Sequence, residues 1–145
     1  SYTFTGLQPD TTYYAAVAAV DTAGNSASEV TAVPIQLAST LPPPVALTLT
    51  APTPQSARLD WSSYDTTGLI GFQGWRVYVE ETPFTDVSTL TPAVQFAAGV
   101  KVHQLDGLDR SKTYHIAVVG YNRLDEFNPA VTPQVWSDPL AGQIT

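Results

Sequence analysis

Apolar and polar residues alternate along short stretches of this chain, and the alternation limits the possible folds more than any other feature. In SARLDWSS, Ala57, Leu59 and Trp61 share one face, and Arg58 and Asp60 share the other. Alternation with period two over about five to eight residues is typical of a strand with one buried face. The pattern therefore predicts a sheet that covers an apolar core on one side.

Two further stretches have the same pattern, and turn-forming segments separate all three. The inward positions are Trp75, Val77 and Val79 in GWRVYVE, opposite Arg76, Tyr78 and Glu80, and Tyr114, Ile116 and Val118 in YHIAVVG, opposite His115, Ala117 and Val119. The segments between strands include APTPQ, DTTGLIG, ETPFTD and LDGLDRSK. No window keeps a helical period, and twelve prolines disfavour long helices. The chain is therefore predicted to be all-β, an antiparallel sandwich or barrel.

The chain also contains an internal repeat. The stretch GLQPDTTYYAAVAAV starts at Gly6, and its counterpart GLDRSKTYHIAVVGY starts at Gly107, 101 positions later. At this offset, without a gap, the identical pairs are Gly6 and Gly107, Leu7 and Leu108, Thr12 and Thr113, Tyr13 and Tyr114, Ala16 and Ala117, Val17 and Val118, Val30 and Val131, and Thr31 and Thr132. Because about 100 residues is the size of one small sandwich domain, the repeat predicts the end of one module followed by one complete module.

The order of the aromatic and aliphatic residues resembles the fibronectin type III family, whose domains are seven-stranded immunoglobulin-like sandwiches. Members usually have a Trp in strand B, an aromatic-x-Val run in strand C, and a Leu six residues before the Tyr that opens strand F. This chain has Trp61 in ARLDW, the run Trp75-Arg76-Val77 in GWRVY, and Leu108 six residues before Tyr114. The complete copy spans about 43–139, and the first copy has only the later part of the pattern.

The resemblance gives these residues structural roles. Trp61 is expected to bridge the two sheets, Leu108 to close one end of the sandwich, and the Tyr114 hydroxyl to bond back to the main chain at the preceding corner. Trp75 stands where the family more often has Tyr, and it still fits an inward aromatic position. The long polar segment 82–91 indicates a larger connection near strand C′.

The repeat and the resemblance predict the domain organisation. The predicted parts are 1–38 as the C-terminal part of a module with strands E, F and G, 39–44 as a Pro-rich linker, 45–139 as a complete module, and 140–145 as a tail. A part of fewer than about 40 residues is too short for its own core, so Tyr13, Ala15 and Val17 are expected to face water beside an unpaired strand edge. Three explanations stay open: a loosely ordered fragment, a missing half that is present but unobserved, or completion by another chain through swapping or strand donation.

The junction contains Leu41 followed by Pro42, Pro43 and Pro44. Such a run favours an extended, stiff polyproline conformation. A spacer between modules is therefore the favoured interpretation, and a ligand for an SH3 or WW domain is the alternative.

Histidines give no catalytic or metal-binding pair. His103 and His115, the only two in the chain, are expected on opposite sheets and pointing outward, whereas a site needs side chains that converge. With no Cys in the chain, disulfides, thiol nucleophiles and Cys-based metal sites are excluded. No Ser-His-Asp arrangement, nucleophile elbow, P-loop, N-x-S/T acceptor or RGD sequence occurs. We therefore predict that the protein is not an enzyme, that it binds no cofactor, and that it has no catalytic, cofactor-binding or metal-binding residue.

Two loops and a set of aromatics remain as weaker candidates. Asn122, Asp125, Glu126 and Asn128 share the predicted F–G loop, but they lack the DxDxDG spacing of a Ca²⁺ loop, so a solvated turn is favoured. The matching loop of the first copy, DTAGN, is also a turn, in which Gly24 and Asn25 tolerate positive φ. Tyr64, Tyr78, Phe84 and Trp136 are candidates for partial exposure and stacking on sugar rings, although core or edge packing is favoured.

Composition limits the partners. The net charge of −7, with six Lys and Arg against thirteen Asp and Glu, disfavours nucleic acid and anionic membranes. No apolar run approaches the roughly 20 residues of a membrane span. Frequent Ser, Thr, Ala and Pro with scarce Lys is common in exported bacterial modules. We therefore predict a non-catalytic spacer or protein-interaction segment of a larger extracellular or cell-surface protein, whose partners are proteins or neighbouring domains of the parent chain. The alternatives are a carbohydrate-binding accessory module of a secreted glycoside hydrolase, and a filament or homo-oligomer subunit whose partial module is completed by a neighbouring chain.

Overall fold

The computed structural model describes residues 1–141, which fold into two units, Ser1–Ser39 and Thr40 onward. Most of the predicted tail 140–145 lies outside the described residues. In the first unit, β1 (Thr12–Ala15) and β2 (Val33–Gln36) form a two-stranded antiparallel sheet. Within residues 1–141, no helix has the length and apolar character needed to cross a membrane.

The second unit is a two-layer antiparallel sandwich. Its strands in the described residues are β3 (Thr48–Thr53), β4 (Ser56–Asp60), β5 (Phe72–Glu80), β6 (Val94–Ala97), β7 (Val102–Asp106), β8 (Tyr114–Asn122) and β9 (Gln134–Trp136). One sheet has the order β3-β4-β7, and the other has the order β6-β5-β8-β9. The all-β antiparallel sandwich predicted from the alternation is confirmed, and its architecture is of the immunoglobulin-like type that the resemblance implies.

The core of the second unit lies between these two sheets and contains the residues that the alternation predicts. Ala57, Leu59 and Trp61 are completely buried, as are Trp75 and Val77. The rings of Trp61 and Trp75 meet edge to face, with centroids 5.8 Å apart, which is a geometry that aromatic quadrupoles favour. Trp61 therefore joins the two sheets, as expected.

Leu108 and Tyr114 occupy the positions that the resemblance implies. The backbone N–H of Asp109 donates to the Tyr114 hydroxyl at 3.3 Å, so the ring lies at the core while its oxygen contacts the preceding corner. Leu108 is buried, and its backbone N–H donates to the carbonyl oxygen of Gln55 at 3.0 Å. These contacts fasten the start of β8 to the end of the sandwich.

The outer face of β5 and β8 is also buried, so the prediction that these strands each have one solvent-facing side is wrong. Tyr78 and Val119 point away from the core, yet they are 1% and 4% exposed. Two connections, 81–93 and 123–133, cover them with the apolar side chains of Phe84, Val87, Leu90, Phe127 and Val131. Tyr78, Val119 and these five residues are called the outer cluster below. The connections bind each other through backbone bonds of 3.0 Å from Val87 to Pro129 and from Val131 to Thr85.

The first unit has the same strand register as the end of the second unit, at the same offset. In the first unit Tyr13 pairs with Ile35, Tyr14 with Pro34 and Ala15 with Val33. At the equivalent positions of the second unit, Tyr114 pairs with Trp136, His115 with Val135 and Ile116 with Gln134. The tyrosine corner is repeated too, because the Gln8 N–H donates to the Tyr13 hydroxyl at 3.0 Å. The sequence repeat is therefore also a structural repeat.

The turn that follows is repeated as well. In each copy the side chain at its start, Asp21 or Asn122, accepts hydrogen bonds from the backbone N–H groups two and four residues later. The residue with positive φ is Gly24 in the first copy, at 88°, and Asp125 in the second, at 67°. The predicted turn is found, and of the two residues expected to tolerate positive φ there, Gly24 is the one that adopts it.

The two copies differ where a neighbouring strand is lacking. The predicted strand E does not form in residues 1–11, whereas its counterpart β7 pairs along its whole length with β4. Strand β1 ends at Ala15, where pairing with β2 ends, while β8 continues to Asn122 alongside β5. Because a strand needs a ladder partner for its backbone groups, the first unit has strands only where its own two segments can pair.

Candidate functional site

The two histidines do not form a site. His103 lies on β7 and His115 on β8, so they belong to opposite sheets, as predicted. The prediction that both point outward is wrong for His103, which pairs with the core residue Leu59 and whose ring packs at a tilt against Phe96, with ring centroids 4.6 Å apart. Among residues 1–141, no group of three or more His, Asp or Glu side chains is arranged to hold a metal ion.

The predicted F–G loop connects β8 to β9, and Asn122 at its start organises it. Asn122 was predicted to be solvated, but it is buried. Its Nδ2 donates to the Thr40 carbonyl oxygen at 3.2 Å and to the Glu126 carboxylate at 2.8 Å. Its Oδ1 accepts the two backbone bonds of the turn, each 3.0 Å long. The Asn128 side chain accepts from the N–H of Ala130 at 3.1 Å. These oxygens hold the loop together rather than converging on an ion.

Arg76 connects this loop to the outer face of the sheet. Its guanidinium lies 4.4 Å from the ring centroid of Tyr121 and 5.3 Å from that of Phe127, and it forms an ion pair with Asp125. A cation between two aromatic faces that exclude water is held more strongly than one at the surface. Burial raises the pKa of the adjacent Tyr78 above its ordinary value. The arrangement fixes the loop over β5.

The four candidate aromatics do not form an exposed row. Tyr78 and Trp136 are each 1% exposed. Trp136 packs in the core, as favoured by the sequence, and its indole donates to the Ser56 carbonyl oxygen at 3.0 Å, whereas Tyr78 is buried in the outer cluster. Tyr64 and Phe84 are half-buried. The Tyr64 hydroxyl donates to the carbonyl oxygen of Pro43 at 2.9 Å, and burial raises its pKa. A flat stacking platform for sugar rings is therefore not formed by these residues.

The Pro-rich segment packs on the second unit. Pro42 is fully buried. The backbone N–H of Thr40 donates to the Ile70 carbonyl oxygen at 2.8 Å, and the Ile70 N–H donates to the Thr40 hydroxyl at 3.1 Å. An SH3 or WW ligand presents its proline rings to the partner, so Pro42 is not available for that role.

An apolar surface of the first unit is the strongest candidate for an interaction site. Tyr2, Phe4, Val17, Val33 and Ile35 are 80%, 56%, 93%, 59% and 36% exposed, and these five residues are called the open face below. The predicted exposure is thus found at Val17, whereas Tyr13 and Ala15 are half-buried. Beside them is a cavity of about 100 Å³ lined by Phe4, Leu7, Tyr13, Tyr14, Ala15 and Ile35. A contiguous patch of large apolar side chains on a protein surface usually marks a place where another segment or another molecule binds.

Comparisons with known proteins agree with this architecture. No protein-family model matches the chain, and no curated protein matches it in sequence. The third fibronectin III domain of the human KIAA0343 protein superposes with a TM-score of 0.51 at 22% identity, over 68% of this chain and 84% of that one. The FN1–FN3 domains of chicken CNTN1 superpose with a TM-score of 0.53 at 16% identity, over 93% of this chain and 43% of that one. The chain thus has the fold of fibronectin type III domains, and at these identities the likeness concerns the fold alone.

Proposed function

We propose that the second unit is a non-catalytic spacer or protein-interaction module of a larger extracellular or cell-surface protein. The observation that carries this proposal is the filling of both faces of β5 and β8, one by the core and the other by the outer cluster. A catalytic or small-molecule site usually needs a concave pocket in which polar groups converge. Here the protein's own side chains occupy those faces, and the outer surface is left for contacts with other proteins.

The composition supports the proposed environment. A net charge of −7 with only two Lys, Lys101 and Lys112, suits a soluble surface in salt-rich surroundings. The absence of Cys means that the fold depends on its core, which is compatible with an oxidising or a reducing compartment. The high content of Ser, Thr, Ala and Pro favours an exported protein of bacterial type.

The first unit is proposed to be the F–G end of another module of the same kind. The domain organisation is then a partial module at 1–38, a junction at 39–44 and a complete module at 45–139. Support comes from the shared register and the shared turn at an offset of 101 residues. A series of such modules fits a spacer better than it fits a single catalytic domain.

A replacement experiment in the parent protein tests the spacer and interaction roles. Residues 45–139 are exchanged for an unrelated immunoglobulin-like sandwich of about 100 residues. Retained surface display and assembly support a spacer. Loss of assembly that is restored by grafting the outer surface of the native module supports a protein contact. Loss of a chemical turnover that the parent otherwise catalyses would overturn the proposal.

Polysaccharide binding is the alternative that the aromatic packing disfavours. With Tyr78 and Trp136 buried, the remaining candidates, Tyr64 and Phe84, are only half-exposed. Affinity electrophoresis of the chain in gels containing cellulose derivatives, xylan or chitin derivatives is expected to show unchanged mobility. Retardation that is lost in Tyr64→Ala would assign a sugar-binding role to the second unit.

A further inference from the structure

Threonine followed directly by proline recurs on the surface of the second unit. Three such pairs lie on the connections 81–93 and 123–133, which cover the outer cluster. The pairs in the chain are Thr53-Pro54, Thr82-Pro83, Thr91-Pro92 and Thr132-Pro133. Pro disfavours the helical conformation for the residue before it, so these threonines lie in non-helical chain of the kind that a modifying enzyme can bind.

The side-chain hydroxyl groups of Thr82, Thr91 and Thr132, called the outer threonines below, are not used by the fold. All three residues are exposed, and within residues 1–141 none of these hydroxyl groups takes part in a hydrogen bond. Thr53 differs, because its hydroxyl oxygen lies 2.7 Å from that of Ser56 and accepts the backbone N–H two residues later at 3.3 Å. Three of the four pairs therefore offer a free acceptor oxygen.

A substituent on an outer threonine leaves the packing beneath it intact. In the connection 81–93, the apolar side chains that belong to the outer cluster are those of Phe84, Val87 and Leu90, whereas Thr82 and Thr91 are exposed. Since their hydroxyl groups hold no contact of the fold, a bond to either oxygen breaks no hydrogen bond within the described residues.

Thr132 also has free space beside it. The N–H of the preceding Val131 donates to the Thr85 carbonyl oxygen, so Thr132 follows directly after the place where the two connections join. It borders an open cavity of about 370 Å³, whose other lining residues are Pro44, Val45, Ala46, Leu47 and Gln134. A group attached to its oxygen therefore has room to lie along this surface.

The charge of the first connection favours a neutral substituent. Residues 81–93 contain Glu81 and Asp86 but no Lys or Arg, and Lys112 already pairs with Glu81. A phosphate group brings about −1.5 to −2 charges at pH 7 and is disfavoured beside Asp and Glu. A neutral sugar has no such repulsion to overcome, and segments rich in Ser or Thr with Pro are typical carriers of O-linked sugars.

We propose that the outer threonines are acceptors for O-linked neutral hexose, and that Thr53 is not an acceptor. In the transfer, the threonine Oγ1 forms a bond to C1 of a hexose that is activated as a phosphate ester. The bond from C1 to the phosphate oxygen breaks, the phosphate leaves with the bonding electrons, and the hydroxyl proton passes to a base of the transferring enzyme. The proposal rests on the exported setting proposed above. The sugars shield the two connections, because exposed loops are the usual sites of proteolytic cleavage.

Masses of tryptic peptides test the proposal, because cleavage after Lys and Arg separates the relevant threonines. Thr82 and Thr91 share the peptide 77–101, Thr132 lies in the peptide that begins at Leu124, and Thr53 lies in the peptide that ends at Arg58. The parent protein is purified from the cells that normally produce it. The chain 1–145, produced in a host without protein O-glycosylation, provides the reference masses, and fragmentation spectra locate each added group.

Two variants of the parent protein serve as a matched pair. Thr82→Val keeps the branched shape of the side chain and removes the free hydroxyl group. Thr53→Val makes the same change at a threonine-proline pair whose hydroxyl group is bonded within the fold. Circular dichroism melts of both variants, made in the chain 1–145, verify that the second unit is folded.

The peptide 77–101 and the peptide that begins at Leu124 are expected to be heavier than the references by one hexose for each outer threonine. Thr82→Val should remove one hexose from 77–101, and Thr53→Val should remove none. Reference masses for both peptides would overturn the proposal, as would phosphate in place of hexose, or hexose on Thr53 as often as on Thr82. Labelling of intact cells with a membrane-impermeant reagent locates the parent protein separately. Bare peptides overturn this inference wherever the protein is found, whereas a parent protein that is not labelled overturns the proposed environment.

Discussion

Gly74 lies where two strands of the second unit approach closely. A Cβ added at Gly74 would lie 2.2 Å from the carbonyl oxygen of Phe96, a backbone atom of the paired strand β6. Because neither backbone can withdraw without breaking the ladder, Gly74→Ala is expected to lower the free energy of unfolding by about 2–4 kcal/mol. At Gly99 nothing lies within 4 Å, so Gly99→Ala is the matched control. Equal urea midpoints for the two variants would contradict the prediction.

Trp61 is the completely buried aromatic residue at the contact of the two sheets. Its ring packs against Trp75 and lies 6.3 Å from Phe96 between centroids, with no exposed area. Trp61→Ala leaves a large cavity at the contact of the two sheets and is expected to cost about 3–5 kcal/mol. Since a domain of this size has about 5–15 kcal/mol in total, a large drop in melting temperature by circular dichroism should follow. Leu124→Ala, at a side chain that is 52% exposed, should leave the melt unchanged, and an equally small effect of Trp61→Ala would refute the core role.

Aspartate-headed turns are a recurring element of the second unit. Five carboxylates each accept a hydrogen bond from the backbone N–H two residues later, and they are Asp60, Asp65, Asp86, Asp109 and Asp138. The hydroxyl and N–H of Ser88 lower the pKa of Asp86, and the N–H and hydroxyl of Ser111 lower the pKa of Asp109. The pKa values of the other three are lowered for the same kind of reason. Each turn is therefore more stable when its carboxyl group is ionised.

A pH prediction follows from these turns. Because the pKa values are lower in the folded state, the stabilisation is present above the ordinary value of 3.8 and is lost as the pH falls below it through the folded values. Melting temperatures are expected to be steady near neutral pH and to fall below about pH 4. Asp86→Asn keeps an oxygen that accepts from Ser88 but removes the titrating charge, so its acid loss should be smaller. A melting temperature that does not change down to about pH 2.5 would contradict this.

Strands could be predicted from the sequence where the strand that pairs with them also lies in the chain. The pairing of β1 with β2 follows from the gapless repeat, and the inward positions of β4 and β5 follow from period two. The prediction of a strand E in the first copy was wrong, because a strand needs a neighbouring strand to pair with and residues 1–39 do not supply one. The outer cluster was missed because loops, rather than strands, form the cover of Tyr78 and Val119. A signal was present, since Phe84, Val87 and Leu90 recur at every third position within a segment that otherwise is polar.

The candidate site was less predictable than the fold. The repeat predicted exposed apolar residues in the partial copy, but of the residues named only Val17 lies in the open face, while Tyr13 and Ala15 are half-buried. The inward orientation of His103 was missed, although it shares its parity along β7 with the core residue Leu105. The burial of Asn122 depends on Thr40, which is 82 positions away in the sequence. Contacts of this kind are set by tertiary packing and leave no local pattern.

At the scale of the whole molecule, the two copies of one half-sandwich are expected to differ in stability. In the second unit Ile116 is completely buried, and β8 is hydrogen bonded to β5 and β9. In the first unit its counterpart Ala15 is half-buried, and β1 pairs with β2 alone. An isolated two-stranded sheet is only marginally stable in water, and amide exchange follows the free energy of local opening.

Native-state hydrogen exchange measured by NMR should show this difference in stability. In the chain 1–145, the amide of Ile116 is expected to exchange at least about 100-fold more slowly than that of Ala15, although the two have the same position in the register. The amide of Val118 should be protected by β5, whereas that of Val17 should exchange nearly as fast as in an unfolded chain. Comparable protection of Ala15 and Ile116 in a monomeric sample would mean that two strands without a cover are stable alone, and the argument that strand length in the first unit is set by missing neighbours would fail.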